Sequence, residues 1–318
     1  MVNKKSDVVI IGAGLAGLAC AIECQKNNKK VVVIEQSNRV GGRVGSIKEN
    51  GNIFDLGFQV YNTEYKMTNS LLNLSELRLK VFKPGASIYN GRDFKILSDP
   101  FRDPATIFET LFSGISTFKD KIKILSLKNA LSNYSIFNDQ TKDLTTLKYL
   151  ESYGFSQKII NGFFKPFFNG IFLEKELETS SKFFKNLFSN FNKGYAAIPE
   201  NGMQEIPDQM LRELNPKNFL LGRRVVEAKN PKKIVLDNND IIEAKYMVLT
   251  GLSNSLVNNH KIEFNSVKTF YFSSLVKVKH AKYINLFPYD AVINNIAILS
   301  SISEKYSPEG KTLFSVSV

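Results

Sequence analysis

The sequence predicts an α/β fold in which a Rossmann-like nucleotide domain is interleaved with an α+β domain. Three observations carry this. A β-branched run, Asp7-Val8-Val9-Ile10-Ile11, leads into Gly12-Ala13-Gly14-Leu15-Ala16-Gly17 and then an alanine- and leucine-rich helix. A second apolar strand, residues 31–34, ends in Glu35. From about residue 71 the pattern turns helical, and after Pro199-Glu200-Asn201-Gly202 β signals return. A chain of 318 residues has room for two domains of ~150 residues. The boundaries expected are 1–75 with 195–255 for the nucleotide domain, and 76–194 with 256–318 for the other.

In the helical stretch, Pro104 opens a helix to residue 112, since proline is tolerated in a first turn. Residues 118–131 form a second helix, with Ile122, Ile124, Leu125 and Leu127 as its apolar positions. A third covers 144–153 and stops at Gly154. A short helix at 203–214 precedes strands at 220–228, 233–237 and 241–249, with Asn238-Asn239 as the hairpin turn. From Lys268 onward, aromatic and β-branched residues predict further strands.

Composition excludes several classes. No apolar run approaches the ~20 residues of a membrane-crossing helix. The first residues run straight into a strand, which predicts no secretory leader. Cys20 and Cys24 are too few for a disulfide framework or a zinc site, so a reducing cytosol is expected. With only His260 and His280, chemistry built on several histidines is excluded, and no metal is expected. The formal charge of +12 is spread evenly along the chain. A nucleic-acid binder would concentrate it, so a generally basic surface is expected, with attraction to anionic lipid head groups.

The glycine loop has a physical reading. Gly12 permits the tight turn, Gly14 lets backbone approach a pyrophosphate, and Gly17 lets helix and strand pack closely. The helix start offers unpaired N–H groups and a positive dipole end to phosphates. Glu35 accepts from ribose hydroxyls, and its charge disfavours a 2′-phosphate. Cys20 and Cys24, four apart on this helix, are badly placed for a disulfide and are expected as small core residues. A second loop, Val40-Gly41-Gly42-Arg43, allows another close backbone approach and supplies a fixed positive fork for phosphate oxygens. Asn52-Ile53-Phe54-Asp55-Leu56-Gly57-Phe58-Gln59 then reads as a strand entering a glycine turn.

With this Gly-Gly-Arg and Phe-Asp-x-Gly, the sequence resembles the FAD-dependent superfamily of flavin amine oxidases, phytoene desaturases and protoporphyrinogen oxidases. Lys165-Pro166-Phe167-Phe168-Asn169-Gly170-Ile171-Phe172 and Ile198-Pro199-Glu200-Asn201-Gly202-Met203 resemble the phytoene-dehydrogenase-like branch. The resemblance implies FAD as cofactor, held by Gly12, Ala13, Gly14, Leu15, Ala16, Gly17, Glu35, Gln36, Gly42, Arg43, Gly57, Phe58, Gln59 and Val225. The backbone of Val225 would meet the adenine. It implies no catalytic acid, base or nucleophile. Lys277, expected on a strand, is similar in placement to the flavin-adjacent lysine of amine oxidases but reads better as an exposed strand lysine. Relatives close the FAD site with a final strand and a glycine-rich helix start. Here Gly310 is the one glycine after Gly251, so a truncated or diverged member is expected.

Residues 151–191 are rich in phenylalanine, which suits either a core or a lipophilic pocket. The reading is an FAD-dependent oxidoreductase acting by hydride transfer on a small lipophilic, isoprenoid- or carotenoid-like substrate, in the cytoplasm or peripheral at a membrane surface. An amine oxidase, a non-catalytic lipid-binding or escort protein, and an inactive truncated flavoprotein are the alternatives. Oligomeric state is left open.

Overall fold

Two six-stranded sheets organise the chain, one in each of two units. The structure, a computed structural model, describes residues 3–231, 233–256, 263–290, 292–307 and 310–318. His260 lies outside the described residues.

The first unit comprises Met1–Ile47, Met67–Arg78 and Asn201–Phe264. Its sheet has four parallel strands, in the order Phe219–Leu221, Val31–Glu35, Asn3–Ile11 and Ile241–Leu249. Residues 31–34 and 8–11 of the two central strands are continuous apolar runs because neighbours bury both faces. Lys233–Leu236 and Val225–Asn230 continue the sheet antiparallel. Their apolar side chains Val225, Ala228, Ile234 and Leu236 pack with Val9, Ile11, Val32 and Ile34. The turn at Asn238-Asn239 is as predicted, with Asn239 at φ 64.

The single strand expected at 220–228 is instead two strands. Gly222 adopts φ 64, its N–H donates to Ser37 O at 2.9 Å, and Arg223 N–H donates to Glu35 O at 3.0 Å. These bonds turn the chain out of its pairing with Val31–Glu35 before it re-enters the sheet at Val225.

The second unit comprises Lys48–Lys66, Leu79–Glu200 and Asn265–Val318. Its mixed sheet runs Thr269–Ser274, Thr312–Ser317, Asn295–Ile298, Ile284–Leu286, Gly85–Tyr89, Phe94–Ser98. The last strand of the chain is therefore interior, hydrogen-bonded on both sides. The strand from Thr269 stops at Ser274, so Lys277, expected on a strand, is exposed beyond it.

Two corrections concern this unit. The Gly85–Tyr89 and Phe94–Ser98 hairpin falls where only helices were expected. Its signal is Asn90-Gly91 between two β-rich runs, with Gly91 at φ 98 and Asn90 Oδ1 accepting from the N–H groups of Arg92 and Asp93. Residues 48–66, assigned above to the nucleotide domain, group with the second unit. There Asp55 is buried and takes hydrogen bonds from the Tyr306 and Tyr271 hydroxyls, on Oδ2 and on its backbone oxygen, both at 2.8 Å.

The helical layer of the second unit follows the predicted order. Pro104–Thr106 is a 3-10 turn leading into Ile107–Phe112. Phe118–Ala130 begins with a capping box between Thr117 and Asp120. Thr146–Ser152 ends before Gly154, at φ 85. Between Gln157–Ile159 and Lys165–Phe172 the helix widens into a π turn, Ile160–Phe164. Pro166 lacks the N–H that an unbroken helix would use there. Phe155, Phe164, Phe168, Phe172 and Phe184 form the buried aromatic core with Leu127 and Leu150.

Candidate functional site

In the first unit, Gly12 follows directly on the carboxyl end of Asn3–Ile11 and Glu35 ends Val31–Glu35; open parallel sheets bind ligands at this edge. Gly12 sits at φ 103, and a Cβ there would lie 2.4 Å from Thr250 Oγ1. That hydroxyl donates to Ile11 O and Gly12 O, so Thr250 buttresses the turn from the next strand. A Cβ added to Gly14 would meet no atom within 4 Å, so the loop opens into free space there. Gly14 caps the Leu15–Lys26 helix without any side-chain bond. Such an uncapped helix start can receive an anionic ligand on its first-turn N–H groups.

The second glycine loop lies against the first. Gly41 N–H donates to Ala13 O at 2.8 Å, and a Cβ on Gly42 would come 3.3 Å from Gly14 Cα. Glu35 links the two: Oε2 accepts from Ala13 N–H at 2.8 Å, and Oε1 from the Ser37 N–H and hydroxyl, each at 2.9 Å. A carboxylate has about four lone-pair sites, so one remains for a ribose hydroxyl.

Sequence reasoning missed Arg39. Its guanidinium donates to the carbonyls of Val40, Gly42 and Val44 and to Gln204 Oε1, at 2.5 to 3.3 Å. Arg39 therefore shapes the loop, while Arg43 is exposed on it. Gln204 also donates to Val40 O at 3.2 Å. An arginine shortly before a glycine doublet was the available signal. Gln36 is exposed beside Glu35, and Leu15 and Ala16 open the helix. Val225 is buried on the strand at one edge of the sheet, where its outer backbone has no strand neighbour among the described residues.

Gly57, Phe58 and Gln59 belong to the second unit. Gly57 turns at φ 96, its N–H donating to Asp55 O, and Phe58 stacks edge-on against Phe82. Cys20 and Cys24 are free and half-buried, not fully buried as expected. Burial, with Cys24 adding, pushes the Cys20 thiol up to about 11, so it stays protonated at neutral pH.

The flavin containing amine oxidoreductase family matches residues 15–296. This chain belongs to that family. The cofactor of the family is a flavin, and the residues here fit FAD: two glycine loops in close approach, an uncapped helix start and a carboxylate with room for a ribose. The chain is 26% identical over 273 residues to the probable flavin-containing monoamine oxidase A of Dictyostelium discoideum, covering 76% of this chain and 56% of that protein. It is 27% identical over 266 residues to the 1-hydroxycarotenoid 3,4-desaturase of Flavobacterium sp. (strain P99-3), covering 73% and 52%. The chain thus spans about half the length of these relatives. Among solved structures, putrescine oxidase bound to putrescine aligns over 100% of this chain and 76% of its own, with a TM-score of 0.70 at 16% identity. That likeness extends the shared fold over both units.

The second unit holds an apolar cavity of about 550 Å³. Phe163, Phe167, Phe168, Phe188 and Phe191 form its inner wall. The phenylalanine-rich segment is therefore both core and wall, with Phe168 serving each. The charged lining is Lys83, Arg102, Lys121 and Lys128 against the single carboxylate of Asp99. Lys128 Nζ lies 2.6 Å from that carboxylate. Arg102 lies 3.8 Å over the Tyr195 ring and donates to Phe191 O and Gly194 O. Among the described residues no cluster of histidine, cysteine or carboxylates could hold a metal, and no helix is long and apolar enough to cross a membrane.

Proposed function

We propose that this family member is an FAD-dependent oxidoreductase whose substrate is a neutral, lipophilic molecule of isoprenoid or carotenoid type. The observation that carries this is the phenylalanine-walled cavity. Its volume suits a slender apolar ligand, and its walls are predominantly apolar. Bound FAD supplies the two-electron acceptor for a hydride leaving the substrate carbon. Gly12, Gly14, Gly17 and the helix start would hold the pyrophosphate, Glu35 the ribose and Arg43 a phosphate oxygen. Gln36, Gly42, Gly57, Phe58, Gln59 and Val225 complete the proposed cofactor set. The sequence similarity to a carotenoid desaturase supports this reading, and that to a monoamine oxidase supports amine oxidation equally. The cavity supports the first reading: Lys128 and Lys83 pair with Asp99 and Asp103, and Arg102 and Lys121 add positive charge that disfavours an ammonium group.

The test begins with purification and a visible spectrum with and without added FAD. The FAD-loaded protein is then mixed anaerobically with acyclic polyenes or with primary amines, and loss of flavin absorbance is followed. Bleaching by polyenes alone supports the proposal. Bleaching by amines alone overturns the substrate class, and a protein that takes up no FAD overturns the whole reading.

A further inference from the structure

The helix Phe118–Ala130 is apolar on two faces. Ile124 and Leu127 point into the aromatic core, as expected of a buried stripe. Phe118, Ile122 and Leu125, spaced four and then three residues apart, form a second stripe that is exposed. A solvated helix would carry polar side chains there. The preceding helix, Ile107–Phe112, does the same: Phe108 is 75% exposed and Phe112 81%. Phe101, before these helices, is 77% exposed.

Three features give this surface its partner. Phe101, Leu111, Phe118, Ile122 and Leu125 are both exposed and part of the cavity lining, so the apolar surface is the rim of the cavity itself. The Phe118–Ala130 helix carries Lys119, Lys121, Lys123 and Lys128 among these apolar residues. Its one acid, Asp120, is buried and bound to Thr117 and Ser156. Exposed aromatics on both helices, beside the lysines of the longer one, match the interface of a bilayer, where rings sit among acyl chains and ammonium groups meet phosphates; the shorter helix adds one exposed acid, Glu109.

We infer that the rim formed by Phe101, the Ile107–Phe112 helix and the outer stripe of the Phe118–Ala130 helix docks on an anionic bilayer, so that the cavity opens into the acyl layer. This rests on the proposal that the cavity takes a lipophilic substrate, and it names where that substrate is collected. The rings bury in the interface while Lys119 stays at phosphate level; Lys123 donates to the Gly154 carbonyl. The substrate then moves between two apolar phases without crossing water.

The test is flotation of the full FAD-loaded chain with vesicles of phosphatidylcholine containing roughly one-quarter phosphatidylglycerol. The wild type is expected to float, less so with phosphatidylcholine alone or in high salt. Phe108→Ser with Phe112→Ser removes exposed rings that do not line the cavity. That pair should lower vesicle affinity by about tenfold for each ring, with the flavin spectrum and turnover of detergent-solubilised substrate unchanged. Phe137→Ser, which removes an exposed ring outside these helices, should change nothing. Equal flotation of the double variant, or no flotation of the wild type, overturns the inference. So does a wild-type dimer, seen without vesicles and abolished by the double variant, because a second copy would then cover the rim. Failure of flotation with polyene turnover intact leaves the proposed function standing, and the reverse result separates the two.

Discussion

The carbonyl oxygen of Gly12 lies 1.9 Å from the point where a Cβ on Gly17 would sit. No rotamer choice can relieve that clash, because both partners are backbone. Gly17 is thus a packing requirement of the strand–helix junction. Gly14, which faces open space three residues earlier, carries no such packing constraint.

The two glycines should therefore fail differently. Gly17→Ala forces strand and helix apart and should cost about 1–3 kcal/mol, with FAD lost as a consequence. Gly14→Ala should leave the melting temperature of the FAD-free protein unchanged and weaken FAD binding by about tenfold or more. Thermal melts of the FAD-free proteins with FAD titrations check both. Equal melting losses would refute the distinction.

Arg39 and Arg43 should separate in the same way. Arg39→Ala abandons several carbonyls of the second glycine loop and should destabilise the FAD-free protein by about 1–3 kcal/mol. Arg43→Ala, exposed on that loop, should weaken FAD with little change in urea midpoint. The comparison needs only denaturation curves and flavin titrations of the two variants.

Asp120 gives a pH prediction. Burial pushes its carboxyl up, but hydrogen bonds from Ser156 and Thr117 outweigh this and hold it at about 2 against an ordinary 3.8. A depressed folded-state value means the stabilisation is fully present above the unfolded value and lost as pH falls through the folded one. Asp120→Asn should cost about 1–2 kcal/mol at neutral pH through the broken capping box. Urea midpoints of wild type and variant should stay apart above pH 3.8 and converge towards about pH 2. A gap unchanged at the acid end would show that the carboxylate's charge is irrelevant.

Tyr306 is fully buried with its hydroxyl on Asp55 Oδ2. Tyr306→Phe removes this buried bond to a carboxylate and should cost about 1–3 kcal/mol. Differential scanning calorimetry would show the loss, and an unchanged transition would mean that another donor replaces the hydroxyl.

Much of the first unit was legible because its signals are local. Gly12, Gly14 and Gly17 sit within one turn and one helix start, and a β-branched run announces itself within a few residues. The split strand at Gly222 was not legible. The residues on either side are equally β-prone, and the turn between them is fixed by Ser37 and Glu35, far away in sequence. Arg39 was missed for the same reason, since one of its acceptors, on Gln204, is supplied by a distant segment. The hairpin at Asn90-Gly91 was readable, but the helical neighbourhood masked it.

By itself, the order of residues determined the glycine loop, the charge of Glu35 at the end of the second strand and the apolar character of residues 151–191, because steric freedom, charge and hydrophobicity belong to each side chain. Tertiary structure alone decided that Asp55 anchors in the second unit. It alone parted Leu127, which packs into the aromatic core, from Phe118, Ile122 and Leu125, which ring a cavity. A helix shows the same apolar residues whichever side its neighbours cover, and only packing settles which of them meet protein and which are left for something else.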